Sequence, residues 1–136
     1  MVRYKESLEG VDWEALKAQL TADDFHNGRT TQQLRVSFEN SQHVAIAWID
    51  EQQTRVIGTA RALSDRVGNC YVLDVWTETP HRNEGIATRM MQMLLDAVPG
   101  QHVYLQTDDA VDFYRKLGFQ DQPVGMSVIS GNYLEN

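Results

Sequence analysis

Two pieces of this chain bring together residue types that could do chemistry: Leu73-Asp74-Val75-Trp76-Thr77 and, just after it, Arg82-Asn83-Glu84-Gly85-Ile86-Ala87-Thr88. The first is β-branched and aromatic and reads as a strand. Pro80 and the polar run His81 to Glu84 stop it, and a helix opens whose first turn contains Gly85 and Ala87. Small residues at a helix start let backbone N–H groups approach a ligand closely, and the helix dipole adds positive potential there. Such a turn suits a pyrophosphate, with Arg82 and the Thr88 hydroxyl as further donors. The stretch lacks the Gly-Lys-Ser/Thr ending of a P-loop and the Gly-x-Gly-x-x-Gly of a dinucleotide site. Taken alone, Arg-x-x-Gly-x-Ala is a weak signal and reads first as a helix start with a small packing face.

A second segment, Asp112-Phe113-Tyr114-Arg115-Lys116-Leu117-Gly118-Phe119, follows one strand later. With both segments in this order and context, the chain resembles the GNAT family of N-acetyltransferases. In that family an Arg/Gln-x-x-Gly-x-Gly/Ala loop follows the fourth strand and binds the pyrophosphate of CoA, and a later helix ends in a segment like Phe-Tyr-x-x-Leu-Gly-Phe. The resemblance implies that acetyl-CoA is the cosubstrate and that a primary amine attacks its thioester directly in a ternary complex. It implies that Val75, Trp76 and Thr77 pair with the pantetheine arm and that the Val75 N–H polarises the thioester carbonyl. Asn83, Glu84, Gly85, Ile86, Ala87 and Thr88, with Arg82, would hold the pyrophosphate. Tyr114 would protonate the departing thiolate. Where many members carry an asparagine that touches pantetheine, this chain has Asp108 and Asp109, so Asp109 takes that position with a different side chain.

Asp74 alternates away from Leu73 and Val75, so its carboxylate could face the acceptor and deprotonate the ammonium; a solvated or ion-paired aspartate is the competing reading. Glu39, Asp65 and Glu78 read as surface charges before they read as bases. Phe25, Phe38 and Trp48 could line an acceptor site, although core packing suits Phe38 and Trp48 better. Met90, Met91 and Met93 belong to a helix core. His26, His43, His81 and His102 lack metal-ligand spacing, so no metal is expected.

The elements that must position these residues follow from periodicity. Met1 to Glu6 reads as a strand. Asp12 to Leu20 reads as a helix capped by Asp12, with Trp13, Leu16 and Leu20 at helical spacing. Thr30 and Gln33 form a capping box opening a helix through about Phe38. Ser41 to Ile49, Thr54 to Leu63 and Cys70 to Thr77 are strands separated by short polar turns, which favours an antiparallel meander. A helical stripe from Ile86 to Ala97 ends at Pro99-Gly100. Val103 to Gln106 is a strand, a helix carrying Val111, Tyr114 and Leu117 stops at Gly118, and Val124 to Ile129 is a last strand. The expected fold is α/β, with a mixed and mostly antiparallel sheet of about six to seven strands flanked by helices. No internal repeat, low-complexity tract or linker-like run divides residues 1–136, which read as a single domain, and the resemblance adds a splayed wedge between strands four and five.

Composition narrows the function classes. Hydrophobic residues make up 42% and charged residues 23%, as in a globular protein. A net charge of −7 opposes bulk nucleic-acid binding. No apolar run approaches the ~20 residues of a membrane span, so no membrane partner is expected. The single cysteine, Cys70, excludes an intrachain disulfide and fits a reducing, cytoplasmic setting; a half-buried strand cysteine reads as packing rather than a nucleophile. The expected partner is a small-molecule or peptide amine, with a homodimer allowed by the resemblance. The rival is a module of the same fold that binds acetyl-CoA as a sensor or scaffold without turnover.

Overall fold

A computed structural model describes all residues 1–136, which form two compact units, Met1–Leu105 and Gln106–Asn136. The first contains β1 (Val2–Lys5), α1 (Trp13–Ala22), α2 (Thr31–Glu39), β2 (His43–Asp50), β3 (Thr54–Ser64), β4 (Asn69–Thr77), α3 (Ile86–Ala97) and β5 (His102–Tyr104). A single 3₁₀ turn, Thr79–His81, lies between β4 and α3. The strands form one sheet in sequential order, antiparallel from β1 to β4 and parallel between β4 and β5.

Caps fix the helix starts. The Asp12 carboxylate accepts from Ala15 N–H at 3.0 Å, and Thr30 and Gln33 close a reciprocal capping box. Each satisfies donors that helix geometry leaves unpaired. The turn between β3 and β4 is organised by Asp65, whose carboxylate accepts from Val67, Gly68 and Asn69 N–H. Those backbone donors hold its pKa down at about 2.

Helices cover both faces of the sheet. Leu16 and Leu20 of α1 with Leu34 and Phe38 of α2 pack on Val44, Ile46, Trp48, Val56 and Trp76. Phe38 and Trp48 are thus core residues, and Phe25 packs against the same cluster half-buried. The alternate residues of β2 face α3, which buries Ile86, Met90, Met91, Met93 and Leu94. Small residues let it come close. A Cβ on Gly58 would stand 3.0 Å from Met90 Cε and 3.2 Å from both Ala47 Cβ and Ile86 Cγ2. Cys70 is buried, and burial raises its thiol pKa, which matches a packing role.

The second unit is organised by one helix end. In α4 (Val111–Lys116), Gly118 N–H donates to Arg115 O at 3.0 Å and Phe119 N–H to Tyr114 O at 3.1 Å. Gly118 has φ +98°, so these bonds form a Schellman cap, and the rings of Tyr114 and Phe119 sit 5.7 Å apart across it. The tyrosine, glycine and phenylalanine of the sequence segment are therefore one structural device. The expected strand over Val124 to Ile129 does not form. The segment is irregular and Val124, Met126 and Val128 are exposed, so alternation alone did not make a strand without a neighbour to complete its ladder. The sheet accordingly has five strands, slightly fewer than expected.

Gly58→Val should lower stability by ~1–3 kcal/mol through overpacking beneath α3. Gly68→Ala, where a Cβ meets nothing within 4 Å, should stay within ~0.5 kcal/mol of wild type. Urea midpoints at unchanged m-value measure both.

Candidate functional site

The end of β4 is where the sheet comes apart. β4 and β5 pair only at Asn69–His102, Cys70–Val103 and Tyr71–Tyr104, while β4 runs on to Thr77. From Val72 to Thr77 its outer edge has no strand beside it. On the inner side the ladder with β3 slips: Thr59 pairs Trp76 and Arg61 pairs Leu73, so Ala60 alone spans Asp74 and Val75. This is a β-bulge, with Asp74 in the left-handed region at φ +54°. Beyond it, Glu78 N–H donates to Ile57 O at 2.8 Å. Alternation back from Glu78 turns the Thr77 and Val75 N–H groups away from β3, toward the open edge.

The strand then leads into the loop before α3. Arg82 Nε donates to Thr77 O at 3.1 Å, and Asn83 and Gly85 both take positive φ, +64° and +82°. Unlike α1 and α2, α3 has no side-chain cap, and its N-cap is Gly85. No backbone N–H from Asn83 to Thr88 bonds within the chain; the first, Arg89 N–H, donates to Gly85 O. A row of free amides at the start of a twelve-residue helix is an anion cradle. Arg82, Asn83, Glu84 and Gly85 are exposed there, Ala87 and Thr88 are half-buried, and Ile86 points into the core. Glu84 places a negative charge at the rim, and His81 Nδ1 lies 3.6 Å from it.

Trp76 belongs to the core by its ring, and its Nε1 donates to Asp23 Oδ2 at 3.0 Å. Asp23, at the end of α1, also accepts from Thr79 N–H and Thr79 Oγ1. Burial pushes the Asp23 pKa up, but the bonds from Thr79 and Trp76 and the Arg82 charge outweigh that and lower it. The junction between β4 and the loop is thereby pinned to α1.

Asp74 is not an open carboxylate facing an acceptor. Its side chain is 6% exposed, and Arg29 holds it with two parallel bonds, Nη1 to Oδ2 and Nη2 to Oδ1, both 2.9 Å. Arg61 Nε reaches Oδ2 at 2.5 Å. Burial raises the Asp74 pKa, but the bonds and charge of Arg29, then those of Arg61, outweigh it and leave it lowered. A carboxylate so satisfied has little tendency to take a proton, so the geometry gives Asp74 a different task from the base expected of it. The sequence reading passed over Arg29 and Arg61: one ends a polar loop, the other sits within a strand, and no local spacing links either to Asp74. Of the weaker base candidates, Glu78 pairs with Arg55 and accepts from Gln19, Glu39 pairs with Arg35, and Asp65 serves its turn.

Tyr114 lies in the second unit and is 9% exposed. Burial, then the negative charge of Asp109, raises its pKa, so the phenol holds its proton at neutral pH. No cluster of three or more His, Cys, Asp or Glu is arranged to hold a metal ion.

The lowered Asp74 pKa sets a pH dependence. In the unfolded chain Asp74 titrates near ~3.9, so its contribution to stability is complete above that value and lost as pH falls through the lower folded pKa. Asp74→Asn keeps a side chain that tolerates positive φ but strands two buried guanidiniums, and should cost ~3–5 kcal/mol at pH 7. The gap between mutant and wild type should narrow below about pH 4, as read from urea unfolding at a series of pH values.

Comparison with known proteins bears on the family and the fold. Residues 12–119 match the model of the acetyltransferase (GNAT) family. A protein named histone acetyltransferase TAP1, from Glycine max, is 32% identical over 79 residues, which are 55% of this chain and 34% of that one. A protein named GCN5-related N-acetyltransferase 1, chloroplastic, from Arabidopsis thaliana, is 26% identical over 127 residues, 90% of this chain and 63% of that one. The chain thus spans about a third to two-thirds of the length of these relatives. Among solved structures, a GNAT-family acetyltransferase from Streptococcus pneumoniae superposes with a TM-score of 0.78 at 24% identity, covering 97% of this chain and 100% of that one. A structure assigned to the GNAT family from Xanthomonas campestris gives 0.80 at 21% identity, over 99% and 98%. The five-stranded sheet with its flanking helices is thus the fold of these structures, and the chain belongs to the GNAT acetyltransferase family.

Proposed function

We propose that the chain transfers an acetyl group from acetyl-CoA to a primary amine by direct attack in a ternary complex. The observation that carries this reading is one continuous stretch of backbone, from the open edge of β4 at Val75 to the uncapped start of α3 at Thr88. It offers hydrogen bonds along a strand edge and then a row of amides, the donors a pantetheine arm and a pyrophosphate would need in that order. The Gly85 position is open, with nothing within 4 Å of a Cβ there, so phosphate oxygens have room to approach.

In this reading the amine lone pair attacks the thioester carbonyl carbon, and the developing oxyanion takes the Val75 N–H. One such donor is worth roughly 3–4 kcal/mol of barrier. The C–S bond then breaks, Tyr114 gives its proton to the thiolate, and the ammonium proton leaves to solvent, from which Tyr114 is recharged. A raised phenol pKa keeps the acid protonated between turnovers. A net charge of −7 favours the approach of a cationic amine.

Acetyl-CoA at a hundred times its dissociation constant should stabilise the fold by ~2.7 kcal/mol, seen as a raised Tm; no shift at millimolar ligand would remove the central claim. Gly85→Asn, which tolerates positive φ but places a side chain over the amides, should weaken that shift. Thiol release across an amine panel then separates catalysis from simple binding: a Tm shift without any release favours a sensor or scaffold. Tyr114→Phe should leave the Tm shift intact and lower kcat about a hundredfold. A loss of only a few-fold would return Tyr114 to the core.

A further inference from the structure

The bulge in β4 is held from three sides. Its carboxylate is gripped by Arg29 and Arg61, its carbonyl accepts from Thr59 Oγ1 at 2.9 Å, and its backbone sits in a region that residues other than glycine rarely adopt. Both arginines continue into α2. Arg29 Nη1 donates to Ser37 Oγ at 3.1 Å; Arg61 Nη1 reaches Ser37 O and Ser41 Oγ, each at 3.4 Å. Ser37 Oγ in turn donates to Leu34 O at 2.7 Å. Arg29 is itself fixed in the loop between α1 and α2, its Nε 3.4 Å from His26 O. Three nearly buried charges therefore join the α1–α2 loop and α2 to one residue of β4, the residue before the N–H that faces the open edge.

We propose that Arg29, Asp74, Arg61 and Ser37 form a positioning clamp that sets the direction of the Val75 N–H toward the thioester carbonyl; this rests on the acyl-transfer reading above. None of the four is a catalytic residue. Asp74 acts through the peptide unit that follows it, and the arginines act through Asp74. Bidentate pairing fixes the plane of the carboxylate as well as its distance, and a lysine ammonium, a single point of charge, does not. The clamp also carries one positive charge more than its carboxylate neutralises, beside the strand residue whose N–H would meet the developing oxyanion.

Three variants test the clamp. Arg29→Lys preserves charge and removes the parallel bonds, Ser37→Ala removes the anchor in α2, and Asp74→Asn removes the carboxylate charge. Arg29→Lys and Asp74→Asn should lower kcat about ten- to a hundredfold, the scale of a small misplacement of a reacting group. KM for acetyl-CoA should stay within about threefold, because the amides before α3 are untouched. Ser37→Ala should give a smaller fall in the same direction. In Asp74→Asn the acid limb of the pH–kcat profile should stay where it is in wild type; its disappearance would make Asp74 the base and overturn the clamp. An Arg29→Lys protein that is folded, with kcat within twofold of wild type, would also overturn it. An amide NMR spectrum supplies a readout free of turnover. In wild type the Val75 resonance should differ between the acetyl-CoA and CoA complexes, and in Arg29→Lys that difference should collapse. A difference of equal size in the two proteins refutes the clamp. If the wild-type protein releases no thiol with any amine, the acyl-transfer reading fails on its own, and the Val75 comparison still decides the clamp.

Discussion

A carboxylate almost sealed from water, held between two guanidiniums and attached to a backbone twisted into the left-handed region, is the point on which the first unit of this molecule turns. Each part would be unfavourable alone. A non-glycine residue at φ +54° is strained, an unpaired buried carboxylate would be costly, and two buried arginines would repel one another. Together they are mutually satisfying, and the bulge they stabilise removes β4 from regular pairing where the sheet has already begun to open. The wedge has two causes: β5 is only three residues long and pairs at three positions, and β4 carries an extra residue against β3.

The three larger helices of the first unit show a division of labour in their first turns. α1 and α2 satisfy their leading amides with Asp12 and with Thr30 and Gln33, so those ends are closed. α3 starts at a glycine, with no side chain turned back onto it. Such a start forgoes only a few tenths of a kilocalorie per mole of capping, and that donor capacity stays available for a ligand. Its apolar face is firmly anchored on the sheet meanwhile, so the open end belongs to a rigid element rather than a frayed one.

Much of this was legible in the residues because it is local. Caps at Asp12 and Thr30, the stop at Pro99-Gly100, and the C′ glycine at Gly118 depend on neighbours within a few positions, and all appear as expected. The loop from Arg82 to Thr88 could be singled out for the same reason. The environment of Asp74 could not: its partners are 45 and 13 residues away, beyond the reach of any local spacing. Strand pattern at Val124, Met126 and Val128 misled for the complementary reason, since a strand is defined by what lies beside it.

Gly58 has a consequence that reaches beyond packing. The gap between sheet and α3 is set by the side chain that is missing there, and a helix moves as a rod rather than bending around an obstacle. A methyl group placed at Gly58 would press on Ile86, the first residue of α3, and on Met90, one turn along. The amides that open the helix would be carried outward with it, away from the strand edge that shares their ligand. Drift at this position is thus constrained twice, once by the density of the interior and once by the spacing of two halves of a binding surface that Gly58 itself never meets.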